Sequence, residues 1–254
     1  TGSTRAGIEV AKNAAPTVKR VHQELGGKSA ALVRDDFPIE IAAKMLSGTI
    51  TMMSGQVCAM LSRVIVPRAR HDELAEAIAA EMKQVVIGHS DDPRTQLGPL
   101  AMKRQRDRVE MYIEEGRKVA DLVCGGGRPA HLNQGYFIEP TLFANVPNDS
   151  RIAQEEIFGP VLCLIPCEDE VDAIRIANDT DFGLAAGVWT SNLSRGHRVA
   201  KKLRAGSVWV NYWDGGDMTA PFGGFKQSGN GRDKSLHAFE KYTELKATWI
   251  NLKS

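Results

Sequence analysis

Apolar and polar positions divide the second half of this sequence into short strands that alternate with amphipathic helices. Apolar runs predict strands at residues 161–165, 184–189 and 207–211, and helical spacing predicts helices at 171–177 and 193–203. Strands that alternate with helices of this length favour right-handed β-α-β units, in which helices cover a parallel sheet. We therefore predict an α/β fold built on a parallel-rich sheet.

The first half shows the same kinds of element with longer loops between them. An amphipathic helix is predicted at residues 71–86, because Leu74, Ile78 and Met82 recur at helical spacing. The other predicted elements are a strand at 30–33, a helix after residue 35 that carries Ile41, Met45 and Leu46, a strand at 61–67, a charged helix at 101–119, a strand at 122–124, a glycine turn at 125–127 and extended structure at 136–146.

The two ends of the chain carry further elements. Ser3 or Thr4 is predicted to cap a first helix, and a second helix is predicted at residues 232–241. Residues 243–252 alternate apolar and polar side chains as a half-buried strand does. Because a terminal strand leaves an open edge, we predict that it pairs across a subunit boundary.

Composition and charge narrow the class of protein. The 254 residues are 43% hydrophobic, which is enough for a full core. The 32 basic and 31 acidic residues give a net charge of +1, so neither a nucleic acid nor a membrane surface is implied as a partner. With no signal peptide and no apolar run of about 18 residues, the expected location is the cytoplasm. The chain starts at Thr1 without an initiator Met, so we expect a fragment of a longer protein.

Cys58 is the first candidate for chemistry. It follows a Gly-Gln pair at the end of a helical pattern and precedes a predicted strand. A turn between two rigid elements is a common position for reactive groups, although an inert buried thiol is the other interpretation. The other cysteines, Cys124, Cys163 and Cys167, lack the spacing of a metal site or a disulfide framework and are interpreted as core or surface thiols.

Glu24 is the second candidate. It precedes Leu25 and a Gly26-Gly27 pair whose backbone permits the close approach of a ligand. In a water-poor cleft a glutamate with a raised pKa can activate a water molecule, whereas on the surface it is an ordinary charge. Spacing alone does not show that Glu24 and Cys58 meet in space.

Several motifs, taken together and in order, resemble the C-terminal half of an NAD(P)-dependent aldehyde dehydrogenase. The resemblance extends over essentially all of the chain, and the interval between Glu24 and Cys58 also fits the family. The matching segments are Thr-Gly-Ser-Thr-x2-Gly at 1–7, Glu-Leu-Gly-Gly-Lys-Ser at 24–29, Gly-Gln-Val-Cys at 55–58, Glu-Glu-Ile-Phe-Gly-Pro at 155–160 and Pro-Phe-Gly-Gly at 221–224.

The resemblance implies a covalent mechanism. Cys58 would attack the aldehyde, and its own backbone N–H, with an amide from upstream, would hold the oxyanion. Hydride transfer to the nicotinamide would leave a thioester, and Glu24 would activate the water that releases the acid. The expected cofactor is NAD or NADP, with NAD favoured, and the expected substrate is a small aldehyde.

The resemblance also assigns binding residues, and it implies no metal site. Ser3 would lie at the cofactor pyrophosphate, Glu156 on the nicotinamide ribose and Phe158 beside the nicotinamide. The other cofactor-binding residues it implies are Gly2, Leu25 and Gly26, and the substrate-channel residues are Val57, Ala59 and Phe222.

The domain organisation follows from the same resemblance. Residues 1–26 would end a Rossmann-like cofactor domain, 27–227 would form the catalytic domain, 228–242 would pack back on the cofactor domain, and 243–254 would be an oligomerisation strand. A homodimer or homotetramer through that strand is expected. The N-terminal half of the family, with its adenosine pocket and oxyanion amide, is absent from this sequence.

Two local features bear on substrate and packing. Met53 stands where the family usually has Asn, so we expect altered packing below the thiol rather than lost chemistry. Residues 214–237 resemble the branch that oxidises γ-glutamylamino- and guanidino-butyraldehydes, and Asp214 and Asp217 could attract a cationic aldehyde, although acidic turn residues are common. The rival hypotheses are a non-catalytic interaction module and a thiol esterase that needs no cofactor.

Overall fold

The computed structural model describes residues 1–252, and its strands and helices alternate through most of that length. The strands are β1 (Gln23–Glu24), β2 (Ala30–Val33), β3 (Arg63–Pro67), β4 (Asp121–Cys124), β5 (Thr141–Ala144), β6 (Val161–Cys167), β7 (Phe182–Gly183), β8 (Ala185–Trp189), β9 (Ser207–Val210), β10 (Phe225–Lys226) and β11 (Gly229–Asn230). The helices are α1 (Thr4–Ala14), α2 (Ile39–Thr51), α3 (His71–Lys83), α4 (Lys103–Gly116), α5 (Arg151–Gln154), α6 (Glu170–Asn178) and α7 (Leu193–Lys202), with short 3-10 turns at Ala15–Thr17, Met52–Gly55, Arg68–Arg70 and Leu236–Lys241.

A seven-stranded sheet forms the centre of the molecule, in the order β4-β5-β6-β3-β2-β8-β9. All neighbouring strands are parallel except β4, which pairs antiparallel with β5 at one edge. The predicted α/β fold with a parallel-rich sheet is confirmed. Among the described residues, no helix is long and apolar enough to span a membrane.

Both faces of the sheet are buried, which explains why its strands are apolar at almost every position. Along β2, Ala30 and Leu32 pack into one core with α4, α6 and α7, whereas Ala31 and Val33 pack into the other with α2 and α3. Successive side chains of a strand point to opposite faces, so one four-residue strand contributes to two cores.

Two short antiparallel pairs lie outside this sheet and join distant parts of the chain. β7 pairs with β10, and β1 pairs with β11 so that Glu24 lies opposite Gly229. The second pair holds residues 23–24, which precede β2, against residues 229–230.

The predicted helix at 232–241 is wrong in its first half. Only a 3-10 turn forms, at Leu236–Lys241. Asp233 exchanges two backbone hydrogen bonds with Phe222, and Lys234 and Ser235 then have φ of 58° and 53°, so the backbone before the turn is not helical. The helical spacing after residue 35 also placed Ile41 on the apolar face, but Ile41 is exposed on α2.

Residues 243–252 form no strand within the described chain. Leu245 and Trp249 are fully exposed, and Arg20 Nη2 donates to the carbonyl of Thr243. A strand needs a neighbouring strand to pair with, and within the described residues no strand pairs with this segment. Pairing across a subunit boundary stays a prediction, and residues 253–254 of the predicted strand lie outside the described residues.

Candidate active site

The candidate residues meet at one edge of the sheet, where loops lead into the amino ends of three neighbouring parallel strands. Residues 24–27 precede β2, Cys58 precedes β3, and residues 156–159 precede β6. Ligands of open α/β sheets commonly lie beyond the carboxyl ends of the strands, so this site is at the opposite edge. Neither composition nor periodicity indicates which edge carries the site.

A strained turn delivers Cys58 to this edge. After α2 the chain passes through three successive residues with positive φ, namely Met53 at 48°, Ser54 at 58° and Gly55 at 71°. Side chains at positive φ are costly, and such strain persists only where the surroundings hold it. A Cβ on Gly55 would lie 2.2 Å from the carbonyl carbon of Gly159, so only glycine fits there.

Side chains of the turn fix it to the rest of the fold. Ser54 Oγ donates to the carbonyl of Gly98 at 2.9 Å, and Gln56 Oε1 accepts from the Ala101 N–H at 3.1 Å. Met53, the residue in place of the family's usual Asn, is 69% exposed. Met53 therefore lies on the surface of the described chain, the anchors of the turn come from Ser54 and Gln56, and altered packing below the thiol stays a prediction.

The Cys58 thiol is half-buried and lies among polar and apolar neighbours. Together with Trp213 and Phe222, it packs against a small buried cluster of Ala59, Leu184, Ala185 and Trp209. Burial first, and then the negative charges of two glutamates, raise the pKa of the thiol, while the backbone N–H groups of Ala59 and Cys58 lower it. The thiol is thus protonated in this state and needs a proton acceptor before it can act as a nucleophile.

Glu24 supplies one of those negative charges. Its side chain is only 5% exposed, and neither carboxylate oxygen accepts a hydrogen bond of ordinary geometry. Burial raises the pKa of this carboxyl, and the Arg232 guanidinium opposes the shift. A buried carboxylate without partners is expensive, which favours either the protonated form or a ligand that completes its hydrogen bonds.

Glu156 supplies the other negative charge, from a narrow pocket beside Cys58. Its Oε1 accepts from the Gly27 N–H at 3.0 Å, and burial raises the pKa of its carboxyl. A Cβ on Gly26 would lie 2.5 Å from Glu156 Oε2, so the glycine is what allows the carboxylate to lie there. Val57 and Phe158 line the same pocket.

Phe158 lies at the mouth of this pocket. Its φ of 60° turns the chain sharply, and its side chain is 37% exposed. Gln105 Nε2 donates to the carbonyls of Ile157 and Phe158, so α4 holds the turn from behind. This anchor is a residue that the sequence motifs do not indicate.

The remaining predicted cofactor residues lie at the start of α1. Ser3 caps the helix by accepting from the Ala6 N–H at 3.3 Å, as predicted, and both Gly2 and Ser3 are exposed. The Gly2 N–H donates to the carbonyl of Glu24, which ties this helix end to the candidate base. Leu25 is buried against Gly7.

These residues suit a dinucleotide. The helix N-terminus at Ser3 offers free N–H groups and a positive dipole end for a pyrophosphate, and the Gly26–Glu156 pocket offers carboxylate oxygens for ribose hydroxyls. Both sites are close to Glu24. The start of α1 is joined to it by the hydrogen bond from the Gly2 N–H, and the Gly26–Glu156 pocket is joined to it by the chain itself, since Gly26 is two residues further on.

Two of the predicted substrate-channel residues, Phe222 and Ala59, differ in how far they are buried. Phe222 is half-buried and contacts the Cys58 cluster, whereas Ala59 is only 4% exposed. Trp213 Nε1 donates to the carbonyl of Ala59 at 3.1 Å, and Trp209 Nε1 donates to that of Gly215. The two indoles therefore form part of the wall near the thiol, although no motif singled them out.

Comparison with known proteins places this chain in a family. The Aldehyde dehydrogenase family model matches residues 1–248, so the chain belongs to the aldehyde dehydrogenase family, a family of oxidoreductases. The chain spans about half the length of the curated relatives it matches.

Particular relatives share both sequence and fold with this chain. A 3-succinoylsemialdehyde-pyridine dehydrogenase from a Pseudomonas species is 47% identical over 97% of this chain and 52% of its own length. The aldehyde dehydrogenase KauB from Pseudomonas aeruginosa is 52% identical with a TM-score of 0.95, covering 99% of this chain and 51% of its own. A gamma-glutamyl-gamma-aminobutyraldehyde dehydrogenase from Burkholderia cenocepacia J2315 is 49% identical with a TM-score of 0.94, covering 99% and 52%. Other matched structures hold NAD+.

Proposed function

We propose that this chain supplies the catalytic half of an NAD(P)-dependent enzyme that oxidises an aldehyde to a carboxylic acid. The observation that supports this most directly is the placement of a half-buried thiol, Cys58, near the negative charge of Glu24, a buried carboxylate that accepts no hydrogen bond of ordinary geometry. Family membership supports the reaction type. The Gly26–Glu156 pocket and the α1 N-terminus would hold the dinucleotide, which accepts a hydride when bound.

The chain's own residues act in two stages. Cys58 gives up its proton to water, its sulfur forms a bond to the aldehyde carbon, and the carbonyl π electrons move to the oxygen, while the Cys58 and Ala59 N–H groups near the sulfur stabilise developing negative charge. Oxidation of this adduct leaves an acyl group on the sulfur. Glu24 then removes a proton from water, the oxygen attacks the thioester carbon, and the carbon–sulfur bond breaks to release the acid.

Variants of the two residues separate these stages. Cys58→Ala should abolish aldehyde-dependent NADH formation, whereas Glu24→Gln should keep a first-turnover burst and slow the turnover that follows. Activity retained in Cys58→Ala would remove the thiol from the mechanism. An unchanged burst together with unchanged turnover in Glu24→Gln would rule out Glu24 as the base.

The same experiments separate the rival functions. Micromolar NAD binding to the 254-residue chain would argue against an inert interaction module. A cofactor-independent thiol esterase would hydrolyse an activated ester equally well with and without NAD. NAD is our proposed nucleotide, and the NAD+ complexes among the matched structures support it.

The substrate class we propose is an aldehyde with a cationic or amide-bearing tail. Asp214 and Asp217 lie in the loop that follows Trp213, and hydrogen bonds from Thr219 lower the pKa of Asp217 and keep it charged. The Burkholderia relative supports this branch. Asp217→Asn should raise the KM for an aminoaldehyde and leave the KM for a neutral alkyl aldehyde unchanged; equal effects on both would contradict the assignment.

We also propose that residues 243–252 pair with another subunit. Leu245, Trp249 and Leu252 are exposed in the described chain, and an apolar terminal segment of this kind is typical of an interface. Deleting residues 243–254 should reduce the mass measured by analytical ultracentrifugation to that of a monomer. An unchanged mass would place the interface elsewhere.

A further inference from the structure

Two titratable side chains that the proposed chemistry does not use lie against Glu24. A ring nitrogen of His22 and carboxylate oxygens of Glu24 and Asp233 lie within 4.8 Å of one another. The pairing of β1 with β11 creates this group, because it puts Gln23 opposite Asn230 and so brings the residues before one strand beside those after the other. Residues two apart in extended chain point to the same side, which places His22 next to Glu24.

Exposure increases stepwise through the group. Glu24 is 5% exposed, the His22 side chain 22% and the Asp233 side chain 40%. His22 Nε2 lies 3.4 Å from Asp233 Oδ1, but it is buried and makes no hydrogen bond of ordinary geometry. The three groups therefore lead from a sealed carboxyl to the surface of the described chain, and two of them have unused hydrogen-bonding capacity.

The proposed reaction gives Glu24 one proton for each acid released. That proton must leave before Glu24 can activate the next water, and a carboxyl that is almost wholly buried has little direct contact with solvent. A neighbouring base that is more exposed would solve this difficulty.

The charges around the group suit a proton acceptor better than a metal ion. Arg232 and Lys241 both act on His22 and on Glu24, and Lys241 Nζ also donates to Asp233. Burial first, and then these cations, lower the pKa of His22, so the imidazole is neutral at pH 7 and has a free lone pair. The two side-chain cations, Arg232 and Lys241, would repel a bound metal cation.

We propose that His22 and Asp233 form a proton-exit path for Glu24. This proposal rests on the proposed function of Glu24. Glu24 gives its proton to one imidazole nitrogen of His22, and the imidazole releases a proton to Asp233, which passes it to solvent. No electrons move: His22 takes up one proton and releases one, Glu24 and Asp233 return to their starting states, and the imidazole regains its first tautomer by exchanging a proton with water. His22 is a positioning residue for the hydrolytic step, and it touches neither the aldehyde nor the cofactor.

The test compares His22→Gln with His237→Gln in the full chain. His237 is an exposed histidine paired with Glu240 on the neighbouring 3-10 turn, so its variant controls for loss of an imidazole in the same region. With an activated aryl ester as substrate, His22→Gln should acylate Cys58 at the wild-type rate and release the acyl group about tenfold more slowly. Added imidazole should restore release in His22→Gly, and Asp233→Asn should slow it by a smaller factor.

A second readout does not need turnover. In cofactor-free protein, the infrared carboxyl band that disappears in Glu24→Gln reports the protonation of Glu24, and His22→Gln should shift its titration midpoint while His237→Gln should not. Unchanged deacylation, no imidazole rescue and an unchanged midpoint in the His22 variants would overturn the proposal. Failure of the proposed function has a different signature, because the wild-type chain would then form no acyl-Cys58 at all.

Discussion

The surroundings of Cys58 and those of Cys163 show how one residue type takes two roles in one fold. Burial raises the pKa of both thiols, so burial does not distinguish them. Cys163 lies inside β6, is fully buried and donates to the carbonyl of Ile152 at 3.3 Å. Cys58 lies in a loop, is half-buried, and lies near the carboxylate of Glu24, whose oxygens accept no hydrogen bond of ordinary geometry.

The charges near the two thiols differ as well. Beside Cys163 the interior contains Lys28 and Arg63, and Arg63 donates to the carbonyls of Lys28, Ile176 and Ala177. Such a region holds the fold together, because its guanidinium satisfies three buried acceptors. The Cys58 region instead holds strained backbone and unpaired carboxylate oxygens, which is typical of a site that awaits a ligand.

The comparison predicts its largest effect on the reactivity of the two thiols. Cys58→Ala should reduce the rate of acylation by an activated ester by about 10³-fold or more, because the nucleophile itself is removed. Cys163→Ala should leave that rate unchanged and lower the free energy of unfolding by about 1 kcal/mol, since it leaves a small cavity. Stopped-flow absorbance and urea unfolding measure the two quantities. An equal loss of acylation in Cys58→Ala and Cys163→Ala would contradict the different roles given to the two thiols.

The next effect concerns the interior cation. Arg63→Met should lower the free energy of unfolding by about 3 kcal/mol, because three buried carbonyls lose their donor. The matched control is Arg94→Met, since Arg94 pairs with Asp92 in an exposed loop and should leave stability unchanged. Urea unfolding compares them. If Arg63→Met lowered the free energy of unfolding only slightly, the stability of this interior would not depend on the guanidinium.

Two glycines test whether the turn before Cys58 is strained as described. Gly55→Ala should destabilise the protein by about 2 kcal/mol and disturb acylation, because its Cβ would meet the backbone of Gly159 at positive φ. Gly48→Ala, on the exposed side of α2 with no atom within 4 Å of its Cβ, should stabilise by roughly 0.5–1 kcal/mol. Thermal unfolding gives both values, and a tolerated Gly55→Ala would contradict the close approach.

The smallest effect is a pH dependence from Glu24. Its pKa is raised in the folded state above the ordinary 4.5, so ionisation costs the folded protein stability. Below pH 4.5 that cost is absent, and it accumulates as the pH rises towards the raised value. Glu24→Gln should therefore be more stable than wild type at pH 8 but equal at pH 4, as urea unfolding at the two pH values would measure. If Glu24→Gln were more stable than wild type only at acid pH, the pKa of Glu24 would not be raised by folding, which would contradict the account.

Sequence patterns predicted the central sheet well because each strand is a local apolar run. The run at 30–33 has polar neighbours on both sides and is the strand observed, whereas β6 continues two residues past the predicted end. The predicted helix at 232–241 fails because Asp233 pairs with Phe222, and a local pattern contains no information about a partner eleven residues away.

The residues of the candidate site were also predicted only in part. Motifs indicated Cys58, Glu24 and Glu156, and the structure brings these three together. Asp233 and Trp213 were missed, because β1–β11 pairing and an indole hydrogen bond to Ala59 bring them to the site from distant positions. His22 lies two residues from Glu24 but was missed because it belongs to none of the motifs. The roles of all these residues stay predictions until they are measured.

The most direct measurement of the central claim locates the acyl group. The Glu24→Gln chain is mixed with an activated acetyl ester, quenched in acid within the first turnover, and digested for mass spectrometry. We predict one acetyl group on the peptide that contains Cys58, and none on the peptides with the half-buried Cys124 or the buried Cys163. Acetylation of Cys124 in place of Cys58, or an unmodified Cys58 after ester cleavage, would contradict the account.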